Sequence, residues 1–316
     1  MSSDDFAIGD TIDCDGRYTV VAPLGRGGMA SVYRVRDALP PIGQPAEVAL
    51  KLLLPEGAAN KAGHARFVQE FELLRAIDNS RIVRVFEQGE AKNNAPFFTM
   101  KFASDKTAKS VIAEGAQNVG NQRSLSTKHL LAILLEIARA LDAAHRAQVL
   151  YLDLKPSNIM LVEEPEGHRV CLIDFGIACE ISASGLNDNR SPRAFIGTSL
   201  YMSPEQVRGS ALDVRSDIYS FGVVGFELCT GRLPFDREAA FDVAASHLLG
   251  KPPEIRSLNK HIPPRLAQIL NVCLSKEPEY RYQSIREVIE RLEQLSGKGA
   301  AVERGGLFDL FRSRRR

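Results

Sequence analysis

Two short segments of this sequence carry the side chains best suited to chemistry. Residues 151–158 read YLDLKPSN and place the Asp153 carboxylate, the Lys155 ammonium and the Asn158 amide within six residues. Sixteen residues after Asn158, Asp174 begins a DFG tripeptide whose flexible glycine favours a turn. This set suits phosphoryl transfer from a Mg²⁺-bound nucleotide, because that reaction depends on positioning and charge neutralisation more than on covalent chemistry.

Each of these side chains has a distinct expected role. Asp153 would accept or orient the proton of the acceptor hydroxyl, and Lys155 would neutralise the γ-phosphate during transfer. Asn158 and Asp174 offer the hard oxygen ligands that Mg²⁺ prefers. Apolar stretches on both sides predict strands that hold the cluster in a rigid loop, which disfavours a merely solvated surface cluster. These strands are predicted at residues 159–162 and 170–173.

A glycine-rich stretch, LGRGGMASVY, occupies residues 24–33. β-branched and aromatic residues precede it at 18–21, and apolar and polar residues alternate after it at 31–36. The glycines are therefore predicted in a hairpin turn, where bare backbone can approach phosphate oxygens. Ala30 replaces the third glycine of G-x-G-x-x-G, so on this stretch alone an ordinary hairpin is the simpler interpretation. A Rossmann site is excluded, since a strand follows the glycines rather than a helix.

A lysine and a helix follow the hairpin. The run VALK ends at Lys51, at the spacing used to reach the α- and β-phosphates. Residues 62–77 predict a helix because four apolar side chains share one face. These are Phe67, Phe71, Leu74 and Ile77. Glu70 adjoins that face whereas Glu72 lies further round, so we favour a Lys51–Glu70 ion pair over two solvated glutamates.

The motifs occur in the order and spacing of the protein kinase family. The glycine loop, VALK, the helix glutamate, DLKPSN, DFG and the SPE at 203–205 carry the resemblance, which covers roughly residues 18–295. The variants GRGGMASVY, KPSNIM and SPEQ most resemble bacterial eukaryotic-like (Hanks-type) Ser/Thr protein kinases.

The resemblance implies an α+β, two-lobed protein-kinase fold. A small N-terminal lobe, an antiparallel β-sheet with one helix, would span about residues 18–100. A larger and mainly helical C-terminal lobe would span about residues 104–295. Residues 1–17 would form an N-terminal extension and residues 296–316 a C-terminal tail.

The resemblance also implies an ATP site with Mg²⁺, or alternatively Mn²⁺, as its cation. Met100 would be the gatekeeper, and backbone groups from Lys101 to Ala103 would hydrogen-bond adenine. Four side chains would sandwich the base, although ordinary core packing is an equally natural reading of them. They are Leu24, Val32, Ala49 and Met160. The glycines over the phosphates would be Gly25, Gly27 and Gly28.

The sequence departs from the family at one informative position. The family usually reads His-Arg-Asp where this chain reads Tyr151-Leu152-Asp153. Tyrosine can fill the packing position of the histidine, but Leu152 removes the cation that normally holds a phosphorylated activation-loop residue. The chain therefore resembles a non-RD kinase, and the departure bears on activation by loop phosphorylation rather than on catalysis.

By the same resemblance, residues 174–205 form the activation segment. Its polar middle, residues 182–192, is expected to be mobile, and residues 197–205 match the substrate-docking end. Thr198 would hydrogen-bond near Asp153 and Lys155. Two further links are expected to be architectural: Glu205 pairs with Arg281, and Asp217 caps a buried helix through Thr230 and anchors the catalytic loop.

Elsewhere the pattern predicts two more helices and two passive loops. Thr127–Ala147 should form a helix with Ser126 or Thr127 as its cap, and a final helix should run over about 284–295. The loops are predicted at residues 37–47 and 115–124.

The composition is that of an ordinary globular protein. Of 316 residues, 44% are hydrophobic and 25% are charged, and the formal net charge is +1. The length allows two units with their own cores, and the small charge gives no reason to expect nucleic-acid binding. The five cysteines form no C-x-x-C pair, so neither a disulfide framework nor a zinc site is predicted. Without a signal-peptide pattern or a spanning apolar run, we expect a soluble cytoplasmic protein.

The leading functional prediction is an ATP-dependent kinase of Ser and Thr hydroxyls in proteins, including autophosphorylation. A nucleotide-binding pseudokinase or scaffold is the main alternative, and a small-molecule kinase of the same fold is a third. The complete catalytic inventory argues against the pseudokinase, and the peptide-docking segment argues against the small-molecule kinase. The tail ends in LFDLFRSRRR (307–316), which is most simply a disordered linker. Alternatively it contacts a partner or an anionic membrane.

Overall fold

The structure is a computed structural model in which the chain forms two compact units. It describes residues 6–58, 61–104, 106–117, 126–164, 167–176, 178–180, 199–236 and 240–297. The first unit contains the chain up to Ser104 together with Ile173–Ile177. The second contains Asp105–Leu172 and everything from Ala178 onward. Because residues 173–177 belong to the first unit, the DFG tripeptide is grouped with strands that lie more than seventy residues earlier in the sequence.

The first unit is a five-stranded antiparallel sheet with two helices. The strand order is β1-β2-β3-β5-β4. The strands are β1 (Tyr18–Arg26), β2 (Ala30–Asp37), β3 (Glu47–Leu53), β4 (Val85–Glu90) and β5 (Pro96–Lys101). The helices are α1 (Pro55–Ala58) and α2 (Lys61–Ala76). The predicted small antiparallel lobe is thus confirmed, and the four-residue α1 is an addition to the single helix expected.

The register of the sheet sorts its side chains onto two faces. Val32 lies opposite Lys51 and Ala49 lies opposite Met100, so these four side chains share one face. The opposite face builds a core cluster from alternate residues of the same strands. That cluster contains Tyr18, Val20, Tyr33, Val35, Val48, Leu50, Leu52 and Phe97, joined by Ile12, Ala91 and Ala95. The strands are therefore buried on both faces near β3.

Residues 6–16 lie against the sheet as a strap, which we call the N-terminal strap. The Ile12 N–H donates to the Tyr18 carbonyl at 2.9 Å, and the Lys92 N–H donates to the Ile12 carbonyl at 2.8 Å. The Phe6 ring meets the Tyr33 ring edge-on, with centroids 6.2 Å apart. Ile12 is completely buried in the core cluster. The strap precedes the first β-strand in sequence and nevertheless contributes to the core of this unit.

The strap offers a matched pair of isoleucines for a stability test. Ile12→Ala should lower the free energy of unfolding by roughly 3 kcal/mol, because it removes buried methyl groups and leaves a cavity. Ile8→Ala should change it by less than about 0.5 kcal/mol, because Ile8 is 71% exposed. Chemical denaturation followed by circular dichroism measures both. Equal effects of the two substitutions would show that the strap is not part of the folded core.

The second unit is mainly helical, as expected. Its helices are α3 (Ala108–Gln117), α4 (Thr127–Arg146), α5 (Pro204–Arg208), α6 (Val214–Thr230), α7 (Ala240–Leu249), α8 (Ile255–Leu258), α9 (Pro264–Cys273) and α10 (Ile285–Leu295). Two antiparallel strand pairs accompany them: β6 (Val149–Leu150) with β9 (Cys179–Glu180), and β7 (Ile159–Glu164) with β8 (Gly167–Leu172). Over the described ranges, no helix is both long enough and apolar enough to cross a bilayer.

Helix α6 forms the centre of this unit, and two glycines allow α9 to approach it. A Cβ at Gly225 would lie 2.5 Å from a methyl carbon of Leu270, and one at Gly222 would lie 2.8 Å from the Cβ of Cys273. Such distances are shorter than real contacts, so larger residues here would force the helices apart. Most of the remaining α6 side chains are buried. A helix that is buried along most of its length makes a rigid base for the residues that it presents.

Most of the predicted elements are present, with one correction. Helix α4 begins at Thr127 with Ser126 as its cap, whose hydroxyl accepts from the His129 N–H, and it ends one residue before the prediction. The predicted loop at 115–124 was wrong at its start, because α3 continues through Gln117. Gly115 there did not interrupt the helix, since a single glycine costs only about 1 kcal/mol relative to alanine. The remainder of that loop, 118–125, lies outside the described residues.

Candidate active site

The first unit contains a buried cluster of one lysine and two carboxylates. The Lys51 Nζ lies 2.7 and 2.8 Å from the two carboxylate oxygens of Glu70. It also lies 2.8 Å from Oδ1 of Asp174. Lys51 and Glu70 are almost fully buried, whereas the Asp174 side chain is 41% exposed. The lysine is therefore held by three charge-assisted hydrogen bonds with only one carboxylate open to solvent.

Local sequence explains why this pair forms. Lys51 lies on β3 directly opposite Phe98 of β5. The Phe98 ring packs against Phe67 and Phe71 of α2, with centroids 4.9 and 5.8 Å away. These contacts dock the apolar face of α2 on the sheet beside Lys51, and Glu70 lies next to that face. The ion pair favoured from the helix pattern is therefore present in the structure, while Glu72 is exposed.

The backbone of the DFG tripeptide is bound to the same cluster. The Phe175 N–H donates to Oε1 of Glu70 at 3.2 Å, and the Phe175 side chain is buried. Asp174 adopts a left-handed φ of 62°, a conformation that costs a non-glycine residue about 1–2 kcal/mol. A Cβ at Gly176 would lie 3.3 Å from Asp174 Oδ1 and 3.4 Å from Glu70 Oε2. Glycine at 176 thus keeps space for both carboxylates.

The electrostatics of the cluster keep the lysine charged. Burial alone would lower the pKa of Lys51, but Asp174 and Glu70 outweigh burial and hold that pKa above its ordinary value. Burial raises the pKa of Glu70, and the negative Asp174 adds to the effect while Lys51 opposes it. Lys51 is therefore a permanent cation at neutral pH, which is the property required of a group that binds phosphate oxygens.

The second unit contains the catalytic-loop cluster. The Lys155 Nζ donates to Oδ2 of Asp153 at 2.7 Å. The Asn158 amide nitrogen donates to the same oxygen at 3.0 Å and to the Asp153 carbonyl at 3.1 Å. Asp153 and Asn158 are buried, and a short 3₁₀ turn at Pro156–Asn158 connects them to β7. The three residues predicted from YLDLKPSN thus form one hydrogen-bonded group at the start of a strand.

Asp217 of α6 anchors this loop from below. Its two oxygens accept the N–H groups of Tyr151 and Leu152 at 2.9 and 2.7 Å, and one of them also bonds Nε2 of His145 at 2.8 Å. The predicted anchoring role is therefore present. The predicted capping role was wrong: α6 begins at Val214, and its cap is Asp213, whose carboxylate accepts from the Arg215 N–H at 2.8 Å. Asp217 lies one turn inside the helix and faces the loop instead.

Glu205 and Arg281 form the buried ion pair expected from the sequence. Two parallel hydrogen bonds of 2.7 and 2.8 Å join the guanidinium to the carboxylate, and Ser216 Oγ donates to the same glutamate at 2.8 Å. Burial works against the charge of Glu205, but Arg281 outweighs it and holds the pKa of Glu205 below its ordinary value. Arg281 also donates to the backbone carbonyls of Ser275, Lys276 and Arg215. The pair therefore ties α5 to α6 and to the segment before α10.

The described part of the docking segment is fixed to α6 and α7. The Tyr201 hydroxyl donates to Glu227 at 2.7 Å, and Ser220 Oγ donates to the Tyr201 carbonyl at 2.8 Å. Nε2 of His247 bonds the Leu200 carbonyl at 3.1 Å. Burial raises the pKa of both Tyr201 and Glu227, and the hydrogen bond from Tyr201 opposes that rise in the pKa of Glu227. Thr198 and the predicted mobile stretch at 182–192 lie outside the described residues.

The residues predicted to hold adenine are divided between the units. Val32, Ala49 and Met100 share the sheet face of Lys51, in the first unit. Leu24 is 39% exposed on β1, and Ala103 follows β5 in partly buried backbone. Met160 belongs to β7 of the second unit. The Lys101 N–H donates to the Arg84 carbonyl at 2.8 Å, so only its carbonyl could meet a base.

The glycine loop is a hairpin, as predicted. The Gly27 N–H donates to the Ala30 carbonyl at 2.8 Å and closes the turn between β1 and β2. That amide is therefore used within the hairpin in this conformation. A Cβ at Gly25 or Gly28 would meet nothing within 4 Å, so these two positions are bordered by open space. The loop thus presents backbone with room for a ligand.

Two side chains have the chemistry to hold a divalent cation. The amide nitrogen of Asn158 is committed to Asp153, so Asn158 would ligate through Oδ1, and Asp174 offers a partly exposed carboxylate. Over the described ranges, no group of three or more His, Cys, Asp and Glu side chains forms a metal cluster. These two oxygen donors, one in each unit, are of the hard kind that Mg²⁺ prefers.

Four interactions of the site were not predicted from sequence. They involve His145, Gln206, Glu227 and the backbone of Phe175. His145 falls on the apolar stripe of α4, and a histidine there is a signal for a polar partner in the core. The other three interactions join residues that are far apart in sequence. Polar residues of these types are common on protein surfaces, so no local sequence pattern indicates their partners.

Comparison with known proteins agrees with this geometry. Residues 18–292 match the family model described as the protein kinase domain. PrkC of Bacillus subtilis, a serine/threonine-protein kinase, is 32% identical over 273 residues, which are 86% of this chain and 39% of PrkC. PknB of Mycobacterium tuberculosis is 32% identical over 275 residues, which are 86% of this chain and 42% of PknB. The crystal structure of the M. tuberculosis PknI kinase domain matches with a TM-score of 0.67 at 27% identity, over 93% of this chain and all of that one.

The chain therefore belongs to the protein kinase family, within its bacterial serine/threonine branch. The predicted kinase fold is confirmed by these similarities. The chain spans about two fifths of the length of the curated relatives it matches.

Proposed function

We propose that the protein is an ATP-dependent kinase of serine and threonine hydroxyls in other proteins. The observation that carries the proposal is the buried group formed by Asp153, Lys155 and Asn158. It holds a carboxylate in one orientation, with a cation 2.7 Å away, at a fixed turn of the backbone. Family membership supports the same reaction, and ATP with Mg²⁺, or with Mn²⁺ in its place, is the nucleotide complex that the residue set suits.

Within this proposal each residue has one task. Asp153 orients the acceptor hydroxyl and receives its proton, while Lys155 stabilises charge on the transferred phosphoryl group. Lys51 binds phosphate oxygens of the nucleotide, and Glu70 holds the Lys51 ammonium in place. Asn158 and Asp174 would hold the cation, which supplies charge neutralisation when it is bound. Thr198 is proposed to hydrogen-bond near Asp153.

The proposal is tested by incubating the purified chain with γ-labelled ATP, Mg²⁺ and dephosphorylated casein. We expect label on casein and on the kinase itself, with mass spectrometry locating it on Ser and Thr residues. Retained binding of a fluorescent ATP analogue without any transfer would instead identify a nucleotide-binding pseudokinase or scaffold. Label on tyrosine alone would overturn the assignment of substrate class.

The proposal includes the non-RD character of the chain, that is, the replacement by Leu152 of the arginine that usually precedes the catalytic aspartate. Leu152 offers no guanidinium to a loop phosphate, so transfer should not require phosphorylation between 182 and 198. Phosphatase treatment before the assay tests this point, because the treated enzyme should transfer the first phosphate without a lag. The activity is proposed to be cytoplasmic, where ATP is supplied.

The tail is proposed to tune the activity through a partner or an anionic surface. Leu307, Phe308, Leu310 and Phe311 are too few to form a core of their own, and four arginines follow them. Deleting residues 300–316 should change the rate, the oligomeric state or vesicle binding without abolishing transfer. Sedimentation and flotation with phosphatidylserine vesicles measure the last two. A variant in which only Arg312 and Arg314–Arg316 are replaced by glutamine separates the effect of charge from that of apolar contact. If the deletion changes none of the three measured properties, the tail is a linker without a tuning role.

A further inference from the structure

Both polar groups of the Leu152 residue are held by side chains from the helices beneath the catalytic loop. Its N–H donates to Oδ1 of Asp217 at 2.7 Å, and its carbonyl accepts from Nε2 of Gln206 at 3.0 Å. Leu152 itself has a left-handed φ of 62°, a conformation that persists only where the surroundings impose it. The Asp217 bond was expected from the sequence. The Gln206 bond joins residues 54 positions apart and has no role assigned so far.

The Gln206 side chain is fixed at both ends. Its Oε1 accepts the Ser203 N–H at 2.9 Å, and its backbone N–H donates to Ser203 Oγ at 3.3 Å, so α5 begins with a capping box. Gln206 is only 6% exposed. The neighbouring Glu205 is locked to Arg281 by two hydrogen bonds. The amide that reaches Leu152 is therefore mounted on a rigid support at the end of the docking segment.

The peptide that Gln206 contacts is the one that leads into Asp153. The Leu152 carbonyl and the Asp153 N–H belong to the same planar unit, and that N–H donates to the Tyr151 carbonyl at 2.9 Å. With both polar groups of this peptide held, its plane cannot rotate. The direction in which the Asp153 carboxylate leaves the backbone is fixed with it.

This arrangement needs no phosphate. Binding a phosphate on the activation segment would require a cationic side chain at position 152. This chain has Leu152 there, which is apolar and only 4% exposed. The contact between Gln206 and Leu152 instead uses an uncharged side-chain amide and a backbone carbonyl. Its strength does not depend on the phosphorylation state of residues 182–198.

We propose that Gln206 is a positioning residue that orients Asp153 through the Leu152 carbonyl and couples the folded docking segment to the catalytic loop without loop phosphorylation. The inference rests on the proposed kinase function. If the inference is correct, the orientation of Asp153 depends on the folding of α5 and not on a phosphate in the activation segment.

Gln206→Glu separates this role from helix capping. Glutamate is the usual partner in a capping box, so the Ser203 N–H and the start of α5 are retained. The carboxylate cannot donate to the Leu152 carbonyl and places an acceptor against it. The expected loss is about 10- to 100-fold in kcat, the range seen for a small misplacement of a reacting group. The KM for Mg-ATP should change by less than about twofold, since the nucleotide contacts lie elsewhere.

The pH profile provides a signature that a merely structural role would not produce. When its new carboxyl group is protonated, the Gln206→Glu variant could donate to Leu152, so the ratio of variant to wild-type kcat should rise as the pH is lowered. Gln283→Glu is the matched control: the Gln283 amide also donates to a backbone carbonyl, that of Arg281 at 2.7 Å, but away from the loop. It should keep wild-type kcat and its pH dependence. Thermal unfolding of both variants checks that they are folded.

The outcomes separate this inference from the proposed function. A wild-type protein that transfers phosphate while Gln206→Glu stays within about twofold in kcat at every pH overturns the inference alone. If the wild type shows no phosphate transfer, the proposed function fails. Amide hydrogen exchange then tests separately whether Gln206 holds the Asp153 loop in place. Faster exchange at residues 150–155 in Gln206→Glu, but not in Gln283→Glu, would support it, and unchanged exchange would overturn it.

Discussion

Replacing Asp153 by asparagine should lower kcat by about three orders of magnitude, within the range attributed to general acid–base groups. The substitution keeps the size of the side chain, and an asparagine Oδ could still accept hydrogen bonds from Lys155 and Asn158. It removes the negative charge that, in the proposed mechanism, orients the acceptor hydroxyl and receives its proton. Initial rates of label transfer from ATP to casein, at saturating substrates, measure the change.

The same variant should bind Mg-ATP with nearly wild-type affinity. Isothermal titration of the nucleotide tests this, because a loss of binding would mean that Asp153 acts on the ground state. Asp236→Asn is the control, since Asp236 is an exposed aspartate in the same unit. Turnover by Asp153→Asn close to that of Asp236→Asn would remove Asp153 from the mechanism.

The sequence was most informative where local periodicity decides the structure. Helices α2 and α4 lie within one residue of their predicted ends, because apolar side chains at i, i+3 and i+4 leave few alternatives. The same periodicity placed Glu70 beside the apolar face of α2, and Lys51 is its partner in the structure. A pattern that specifies which face of a helix is buried also specifies which of two neighbouring carboxylates can reach a buried lysine.

Sequence reasoning failed where the choice depends on a helix boundary or a distant contact. Asp213 and Asp217 both suit a helix start, and only the position of the first turn decides that Asp213 is the cap. Gln206 and Leu152 are joined by a single hydrogen bond across 54 positions, and neither residue type suggests the other. Ile8 and Ile12 are both isoleucines of the N-terminal strap, yet Ile8 is 71% exposed and Ile12 is completely buried. The burial of Ile12 therefore follows from tertiary packing and not from pattern.

The cluster of Lys51, Glu70 and Asp174 is expected to add little to the net stability of the fold. Removing charges from water costs free energy that an ion pair only partly recovers, so such clusters are often neutral for folding. The left-handed backbone at Asp174 adds a further cost of about 1–2 kcal/mol. These unfavourable features lie beside the lysine that we propose to bind phosphate, and they make the cluster a sensitive place to test whether Lys51 and Glu70 act together.

Lys51→Met should lower kcat/KM by at least about 100-fold, because it removes the cation that is proposed to position the nucleotide phosphates. Glu70→Gln should lower it by about tenfold, because Lys51 keeps its bond to Asp174 but loses the partner that holds it on the sheet. If both residues act through one ion pair, the double variant should be no worse than Lys51→Met alone, and multiplied losses would mean that Glu70 has a separate role.

Stability measurements on the same cycle give an independent reading. Lys51→Met leaves the buried Glu70 without its cation, which should cost roughly 3–5 kcal/mol in the free energy of unfolding unless the carboxyl takes up a proton. Adding Glu70→Gln should recover part of that loss. Glu72→Gln, on the exposed side of α2, should change neither activity nor stability. If the stability losses of Lys51→Met and Glu70→Gln are additive in the double variant, the Lys51 and Glu70 side chains have no interaction energy despite their short distance.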